Sequence, residues 1–299
     1  MGHRTLVYRR MASPLHATRA GVGALWATSL VAATLLLYHP LALLALLAAV
    51  LLAAGRAGVG WLVPRALRTA LIVALPIVAV NVLVSRQGLT VFARVGDLGP
   101  FGQGNLTLEA FVYGAVIALK LTLLIVITTL AGLAVDPDEL LRAFRRLSFR
   151  SALTASLATR MLPVLAADAQ RLAEAQRTRP RTGPRGPRGP RARVLLLGAV
   201  IGGSLDRALE VAATLEVRGF ASAPRAPRTA RPWSRHDLAF AASAVAILAI
   251  ALVGRMAGAA FFNAYPTVEM PINTGTLVLA PALFLAVLLP FCDRRGIEP

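Results

Sequence analysis

Two short stretches that end in arginine are the parts of this sequence best suited to specific chemistry. EAQRTRP at 174–180 and TLEVRGF at 214–220 each close a run with helical periodicity, and each stops at Pro or Gly. An arginine there offers five donors in a rigid fork, which suits a carboxylate or the exposed carbonyls of a partner. The simpler interpretation is that each arginine complements its own helix dipole, worth about 0.3–1 kcal/mol. Taken alone, the simpler interpretation would be preferred.

Motifs for other kinds of chemistry are missing from the sequence. A phosphate-binding loop of the GxxxxGK[ST] type needs a lysine, and the one lysine, Lys120, lies in an apolar run. There is no HExxH motif, a single cysteine (Cys292), and no metal-ligand spacing among the four histidines. The acidic residues are spread along the predicted helices. We therefore expect no catalytic residues, no metal site, no bound cofactor and no enzymatic activity.

The composition is that of a membrane protein. Of the 299 residues, 57% are hydrophobic and 15% are charged, whereas roughly 25% are charged in a soluble domain. Six apolar runs are candidate transmembrane helices, and they cover 22–38, 40–54, 66–85, 108–133, 237–257 and 276–291. The second is short for a span, so it and its neighbour form either two spans around a tight turn at His39 and Pro40, which we favour, or a shallow hairpin.

The positive charges predict how these helices are oriented. If the N-terminus is inside, then only Arg86, Arg94 and Arg255 fall in outside segments and Lys120 in a span, while all other basic residues are inside. This asymmetry favours six spans in the cell membrane with both termini cytoplasmic. The predicted parts are an N-terminal membrane part, a cytoplasmic region and a C-terminal membrane part, at 1–133, 134–236 and 237–299.

The predicted cytoplasmic region consists mainly of amphipathic helices. Asp136 and Pro137 are typical of a helix start. A second helix is predicted over 150–179, with Asp168 interrupting its apolar face and Arg171 as a partner, and Pro163 should kink it. Its apolar face consists of Leu153, Leu157, Met161, Val164, Leu165 and Leu172.

A basic linker and a third helix follow in this region. GPRGPRGPR lies within a Pro/Arg/Gly-rich linker at 180–192, and three triplets are too few for a collagen-like helix. The third helix is predicted over about 193–218, with Arg207 opposite its apolar stripe. That stripe consists of Leu205, Ala208, Leu209, Ala212 and Leu215. We expect both long helices to pack beneath the membrane spans rather than to cross the bilayer.

Lys120 is an ionisable residue inside a predicted span, which makes it a functional hypothesis by default. Glu109 begins the same span, but eleven residues of helix separate the two by about 16 Å, too far for an ion pair. The interpretation that we favour is structural, with Lys120 either reaching the interface or facing the interior of the bundle.

Over nearly its whole length the sequence resembles the transmembrane (T) component of energy-coupling factor (ECF) importers, the EcfT/CbiQ family of ABC transporters. The similar segments are PLHATRAGVGAL near the start, LTLEAFVYGAVIALKL, DPDELLRAF, SLATRMLPVLAADAQRLAEAQ and, most specifically, RALEVAATLEVRGF at 207–220. The resemblance implies an all-α polytopic membrane protein with about six transmembrane helices and amphipathic cytoplasmic coupling helices.

The resemblance also implies a set of contact residues and partners. Two Ala-Arg-Gly-type motifs of the family, which dock into grooves on two ABC-type ATPase subunits, fall on Thr178-Arg179-Pro180 and Val217-Arg218-Gly219. Both arginines are kept, while Thr178, Pro180 and Val217 depart from the family pattern. The implied function is a scaffold that couples ATP hydrolysis by these partners to uptake of a vitamin or transition-metal ion by a separate substrate-binding membrane subunit.

Two other functions compete with this one. A polytopic membrane enzyme acting on lipid-like substrates needs convergent acidic or histidine groups, and the sequence shows no such pattern. A binder of nucleic acid or anionic lipid would use the arginine-rich 134–236 region, but cytoplasmic placement already accounts for much of that charge and few aromatic residues accompany it. We therefore expect a lipid bilayer and protein partners but no nucleic acid.

Overall fold

The computed structural model describes residues 11–85, 88–97, 103–144, 149–178, 190–217, 219 and 232–293. In chain order the helices are α1 (Pro14–Ala17), α2 (Ala20–Leu36), α3 (Pro40–Arg56), α4 (Val63–Val84), α5 (Leu108–Ala134), α6 (Pro137–Phe144), α7 (Phe149–Thr178), α8 (Pro190–Val217), α9 (Arg235–Met256) and α10 (Thr274–Leu288). Short 3₁₀ turns cover Gly60–Leu62 and Leu289–Phe291. The helical prediction is confirmed, with one addition: an antiparallel hairpin of β1 (Val91–Asp97) and β2 (Gln103–Thr107).

The chain divides into two compact units. One comprises Met1–Leu140 and Trp233–Pro299, and the other comprises Leu141–Pro232. The first, which we call the membrane unit, contains every predicted span. The second, which we call the α7–α8 unit, contains the two long helices that end at the arginine motifs.

All six predicted apolar runs are helices in the membrane unit. In the described part of the chain, four helices are long and apolar enough to cross a membrane: Gly60–Val84, Leu108–Ala134, Arg235–Met256 and Thr274–Phe291. α2 and α3 have 17 residues each, or about 25 Å of helix, which is less than the roughly 30 Å of a hydrocarbon core. The chain is therefore a multi-pass membrane protein in which two of the six apolar helices are short.

Side-chain contacts show that the apolar helices alternate in direction. At one end of the membrane unit, the Arg19 backbone N–H donates to Asp237 Oδ1 at 2.8 Å, so α2 and α9 begin side by side. α5 also ends here, because Val135, the residue after α5, lies against Gly23 in the first turn of α2. A Cβ added to Gly23 would lie 3.3 Å from Val135 Cγ2. Arg235 Nη1 also lies 3.9 Å from Asp293 Oδ2 there. We call this end the first end, and the described residues nearest both termini lie at it.

The opposite end of the membrane unit, the second end, contains the far termini of the same helices. α2 and α9 both finish there, because Arg255 Nη1 donates to Leu36 O at 3.3 Å. α4 finishes there too, with Ser85 Oγ 2.6 Å from the hydroxyl of Tyr265 in the loop after α9. Each apolar helix that starts at the first end is thus followed in the chain by an apolar helix that runs from the second end back to the first end.

Three aromatic side chains form the centre of the core near the first end. The Trp26 ring makes edge contacts with Phe240 at 5.5 Å and with Phe291 at 5.8 Å between centroids. Trp26 is 1% exposed, and its indole N–H donates to Ser243 Oγ at 3.1 Å, which satisfies its single donor. Ser243 Oγ donates in turn to Ala286 O at 2.6 Å. This cluster joins α2, α9 and α10.

The hairpin between α4 and α5 was not predicted from the sequence. Its strands, VFARVGD and QGNLT, are short, contain glycine and lack a clean apolar alternation. Glu109 lies in the first turn of α5 and is 1% exposed. Its Oε1 accepts a hydrogen bond from the Thr90 N–H at 3.0 Å. It therefore fastens the start of α5 to the segment before β1.

Candidate functional site

The candidate residues lie at the C-terminal ends of the two long helices of the α7–α8 unit. Thr178 is the last residue of α7, and Val217 is the last residue of α8 with 88% of its surface exposed. Arg179, Pro180 and Arg218 lie outside the described residues. The structure therefore gives the helix ends that carry the two predicted arginines, and the guanidinium contacts stay predictions.

Gly219 has a specific conformational reason to be glycine. Its φ is +66°, in the left-handed region, and its N–H donates to Glu216 O at 2.9 Å, so the last turn of α8 closes on itself. A Cβ at this position would meet no heavy atom within 4 Å. The glycine is thus required by the backbone turn rather than by crowding, and the turn lies directly after the position of Arg218.

A salt bridge holds the two long helices together. Arg207 Nη1 donates to Asp168 Oδ2 at 2.8 Å, and Arg171 Nη1 lies 3.6 Å from Asp168 Oδ1. The Asp168–Arg171 pair is confirmed, while Arg207 was missed because it lies 39 residues away on the other helix. The only sequence signal was that a lone acid interrupts an apolar face of α7. An acid in such a position needs a cation, and α8 supplies it.

The faces that the two helices present to each other follow from this pair. On α7, Leu157, Met161, Leu165, Asp168 and Leu172 are half-buried at spacings of three and four residues, which agrees with most of the predicted apolar face. Leu153 has no described side-chain environment, and Val164 is 39% exposed. The half-buried face of α8 shares only Leu215 with its predicted stripe, and it consists of Val200, Ser204, Arg207, Val211 and Leu215.

The predicted apolar stripe of α8 is therefore mostly on the outside of this unit. Leu205 and Leu209 are 61% and 63% exposed, and Ala208 and Ala212 are also exposed. This arrangement agrees with the predicted placement of Arg207 opposite the apolar stripe, and the expected packing of the stripe beneath the membrane spans stays a prediction. Here the Asp168–Arg207 pair determines the rotation of α8. Further exposed apolar residues of the two helices are Leu162, Val194, Leu197 and Ile201.

One prediction about a helix boundary is corrected. α8 begins at Pro190, so the last three residues of the predicted linker 180–192 are helical, as expected for proline in a first helical turn. α7 runs from Phe149 to Thr178, which agrees with the predicted helix over 150–179, and Pro163 lies inside it, where the kink stays a prediction. The start of α6 agrees with its prediction, because Asp136 Oδ1 accepts from the Asp138 N–H at 2.9 Å.

A model of the family described as CbiQ, cobalt transport protein, matches residues 11–229. The chain belongs to the CbiQ cobalt transport family. The family match covers α1 to α8 and both predicted motifs, and it stops before α9 and α10. A search of curated proteins finds no match to this chain.

Membership of this family makes the chain a component of a transporter. It accounts for the multi-pass membrane unit, since transport of a polar solute needs a structure that spans the bilayer. Among the described residues, no group of three or more His, Cys, Asp and Glu side chains is arranged to hold a metal ion.

Proposed function

We propose that the chain is the transmembrane component of an energy-coupling factor importer. It couples ATP hydrolysis by two cytoplasmic ABC-type ATPase subunits to uptake of a vitamin or transition-metal ion by a separate substrate-binding membrane subunit. ATP is bound by the partners, and the chain itself needs no cofactor. The observation that carries the proposal is the family match over 11–229 together with the positions of both predicted arginine motifs at the ends of long helices.

Arg218 and Arg179 are the proposed contacts with the ATPase subunits. Each guanidinium enters an acidic groove of one subunit and forms a bidentate contact, with Val217, Gly219 and Thr178 forming the adjoining surface. Arg218 is the stronger of the two candidates, because the Gly219 turn after it keeps the backbone N–H that Pro180 lacks after Arg179. Val217 is 88% exposed, which leaves the end of α8 accessible to a partner.

Coupling requires that the contacts differ between the two states of the ATPases. When ATP closes the ATPase pair, the two grooves move, and only a contact of different strength in the open and closed states transmits that change. The salt bridge between Asp168 and Arg207 helps α7 and α8 to move as a pair rather than separately. Their displacement is passed to the substrate-binding subunit, which moves its cargo across the membrane.

Replacement of Arg218 by Glu tests the proposal. Loss of one buried Arg–carboxylate contact costs about 2–5 kcal/mol, and reversal of the charge adds repulsion. We expect co-purification of the ATPase subunits to fall at least tenfold and uptake of the cargo to stop. The measurements are a pull-down of the tagged chain from membranes of the host cell, with quantification of the ATPases, and uptake of radiolabelled cobalt or vitamin.

Arg218→Ala and Arg171→Ala form a matched pair for this experiment. Arg171 is 80% exposed in the same unit and makes the longer of the two contacts with Asp168, so its loss tests for a general effect of removing a cation. The proposal predicts loss of ATPases for Arg218→Ala and retention for Arg171→Ala. Unchanged assembly and uptake in Arg218→Glu would remove Arg218 from the coupling contact and refute the proposed role.

A further inference from the structure

Two cations meet around one aromatic ring at the second end of the membrane unit. Lys120 Nζ lies 3.2 Å from the centre of the Tyr38 ring, and Arg255 Cζ lies 5.8 Å from it. Lys120 Nζ donates to Leu35 O and Arg255 Nη1 donates to Leu36 O, both at 3.3 Å. We call Tyr38, Lys120 and Arg255 the cationic cluster. It joins the last turn of α2 to α5 and to the last turn of α9.

The cluster holds more positive charge than its protein contacts balance. The C-terminal carbonyls of α2 and those of α9, whose last turn contains Arg255, each carry the equivalent of about half a negative charge. The face of Tyr38 attracts cations without adding net charge. The salt bridges of the described residues involve neither Lys120 nor Arg255. Among the described residues, about one positive charge therefore stays uncompensated at a membrane position, where an unbalanced charge is costly. An anion from outside the chain would stabilise this arrangement.

The surroundings of the cluster are those of a lipid headgroup. Arg255 lies in the last turn of α9, a membrane-spanning helix that carries Arg235 at its other end. Lys120 lies near the middle of α5, and its Nζ reaches the last turn of α2, so the two cations meet where α2 and α9 end. Tyr38 is 42% exposed and Arg255 is exposed, so an outside group can reach them. Leu35, Leu252 and Met256 on the same two helices are 54%, 51% and 81% exposed. Cations beside exposed apolar side chains match a lipid that has a charged headgroup and apolar acyl chains.

We infer that the cationic cluster binds the phosphate of an anionic phospholipid in the leaflet at the second end. The guanidinium of Arg255 contacts two phosphate oxygens through its fork, Lys120 adds a point charge, and the Tyr38 ring fixes both cations. The acyl chains lie along the exposed apolar residues of α2 and α9. Free phosphate offers the same anion without the chains, so the apolar flanks favour the lipid.

The test measures lipid binding to the purified full chain by native mass spectrometry. Phosphatidylglycerol and phosphatidylcholine with identical acyl chains are titrated separately. We expect preferential retention of phosphatidylglycerol, and a loss of about fivefold in its affinity for each cation removed in Lys120→Met and Arg255→Gln. The charge-preserving double variant Lys120→Arg with Arg255→Lys should keep the preference, which separates loss of charge from loss of fold.

A matched control removes a cation in a similar setting at the first end. The Arg65 guanidinium lies 5.4 Å from the Trp61 ring centre, so Arg65→Gln also deletes an exposed cation beside an aromatic ring. The proposal predicts that Arg65→Gln leaves the preference unchanged. An equal loss in this control, or equal affinity for the two lipids in the natural sequence, would overturn the inference.

Two further arms identify the source of the anion. Displacement of phosphatidylglycerol by excess inorganic phosphate would assign the cluster to a free anion and overturn the lipid assignment, whereas resistance to phosphate supports it. Carbodiimide cross-linking of Lys120 to a carboxylate of a co-purified membrane subunit would show that a protein occupies the cluster, and that result also overturns the inference. Absence of such a cross-link, together with the lipid preference, supports it.

Discussion

Removal of the Asp168 carboxylate should loosen α7 from α8. The Arg207 Nη1 to Asp168 Oδ2 distance is 2.8 Å, and the two side chains are 38% and 27% exposed. Fully exposed pairs contribute about 0.2–1 kcal/mol, and hydrogen bonds to charged groups about 1.5–3 kcal/mol. A half-buried pair falls between these ranges, so we expect a coupling free energy of about 1–1.5 kcal/mol, equal to roughly a fivefold to tenfold change in an opening equilibrium.

Hydrogen exchange in the intact chain measures this opening. Amides of α7 and α8 in Asp168→Ala should exchange about five to ten times faster than in the natural sequence. A double-mutant cycle with Arg207→Ala isolates the pair, because the second substitution should add little once the first is made. Asp206→Ala is the matched control, since Asp206 is the exposed acid next to Arg207 on α8. Equal exchange in the Asp168 and Asp206 variants, or additive effects in the cycle, would refute the salt-bridge argument.

The remaining predictions concern the first end and the end of α8. Asp237 is 1% exposed, accepts from the Arg19 N–H and pairs with the Arg19 guanidinium at 3.4 Å. Asp237→Ala should therefore lower the free energy of unfolding in SDS titration by about 3–5 kcal/mol. Asp293, whose side chain is 43% exposed, is the control, and Asp293→Ala should cost less than about 1 kcal/mol. Burial lowers the pKa of His16 below its usual 6.5, so the unfolded chain binds this proton more readily and stability falls as the pH drops below about 6.5. His16→Asn should flatten this part of the curve of melting temperature against pH, and an identical slope would contradict the assignment. Gly219→Ala should cost about 1–2 kcal/mol in the last turn of α8 because φ is +66°, measurable as faster exchange there.

Local signals made the helices of the membrane unit predictable. Each apolar run in the sequence became a helix, and the start of α9 is fixed by a capping box in which the Asp237 N–H donates to Ser234 Oγ at 3.0 Å. Such signals act within a few residues, so they can be read without knowing the fold. The ends of α7 and α8 were also predictable from local signals, because Pro or Gly follows each arginine motif. α7 ends at Thr178 and α8 at Val217.

Contacts between distant residues could not be predicted in the same way. Arg207 pairs with Asp168, and Lys120 meets Tyr38 and Arg255, only because separate helices pack side by side. Periodicity gives each helix an apolar side, but the rotation of one helix against another depends on pairs that the sequence does not mark. The hairpin was missed for a related reason, because its strands depend on pairing with each other rather than on an apolar pattern.

The aromatic cluster around Trp26 has a consequence for any attempt to produce a minimal version of this protein. The family match ends at residue 229, yet Phe240, Phe291 and Ser243, which cover Trp26 and satisfy its indole N–H, all come later in the chain. Truncation after residue 229 would strip a large aromatic side chain of its neighbours and leave a donor unsatisfied within the apolar interior. The last two long helices are therefore part of the same folding unit as the first, and neither half is an independent module.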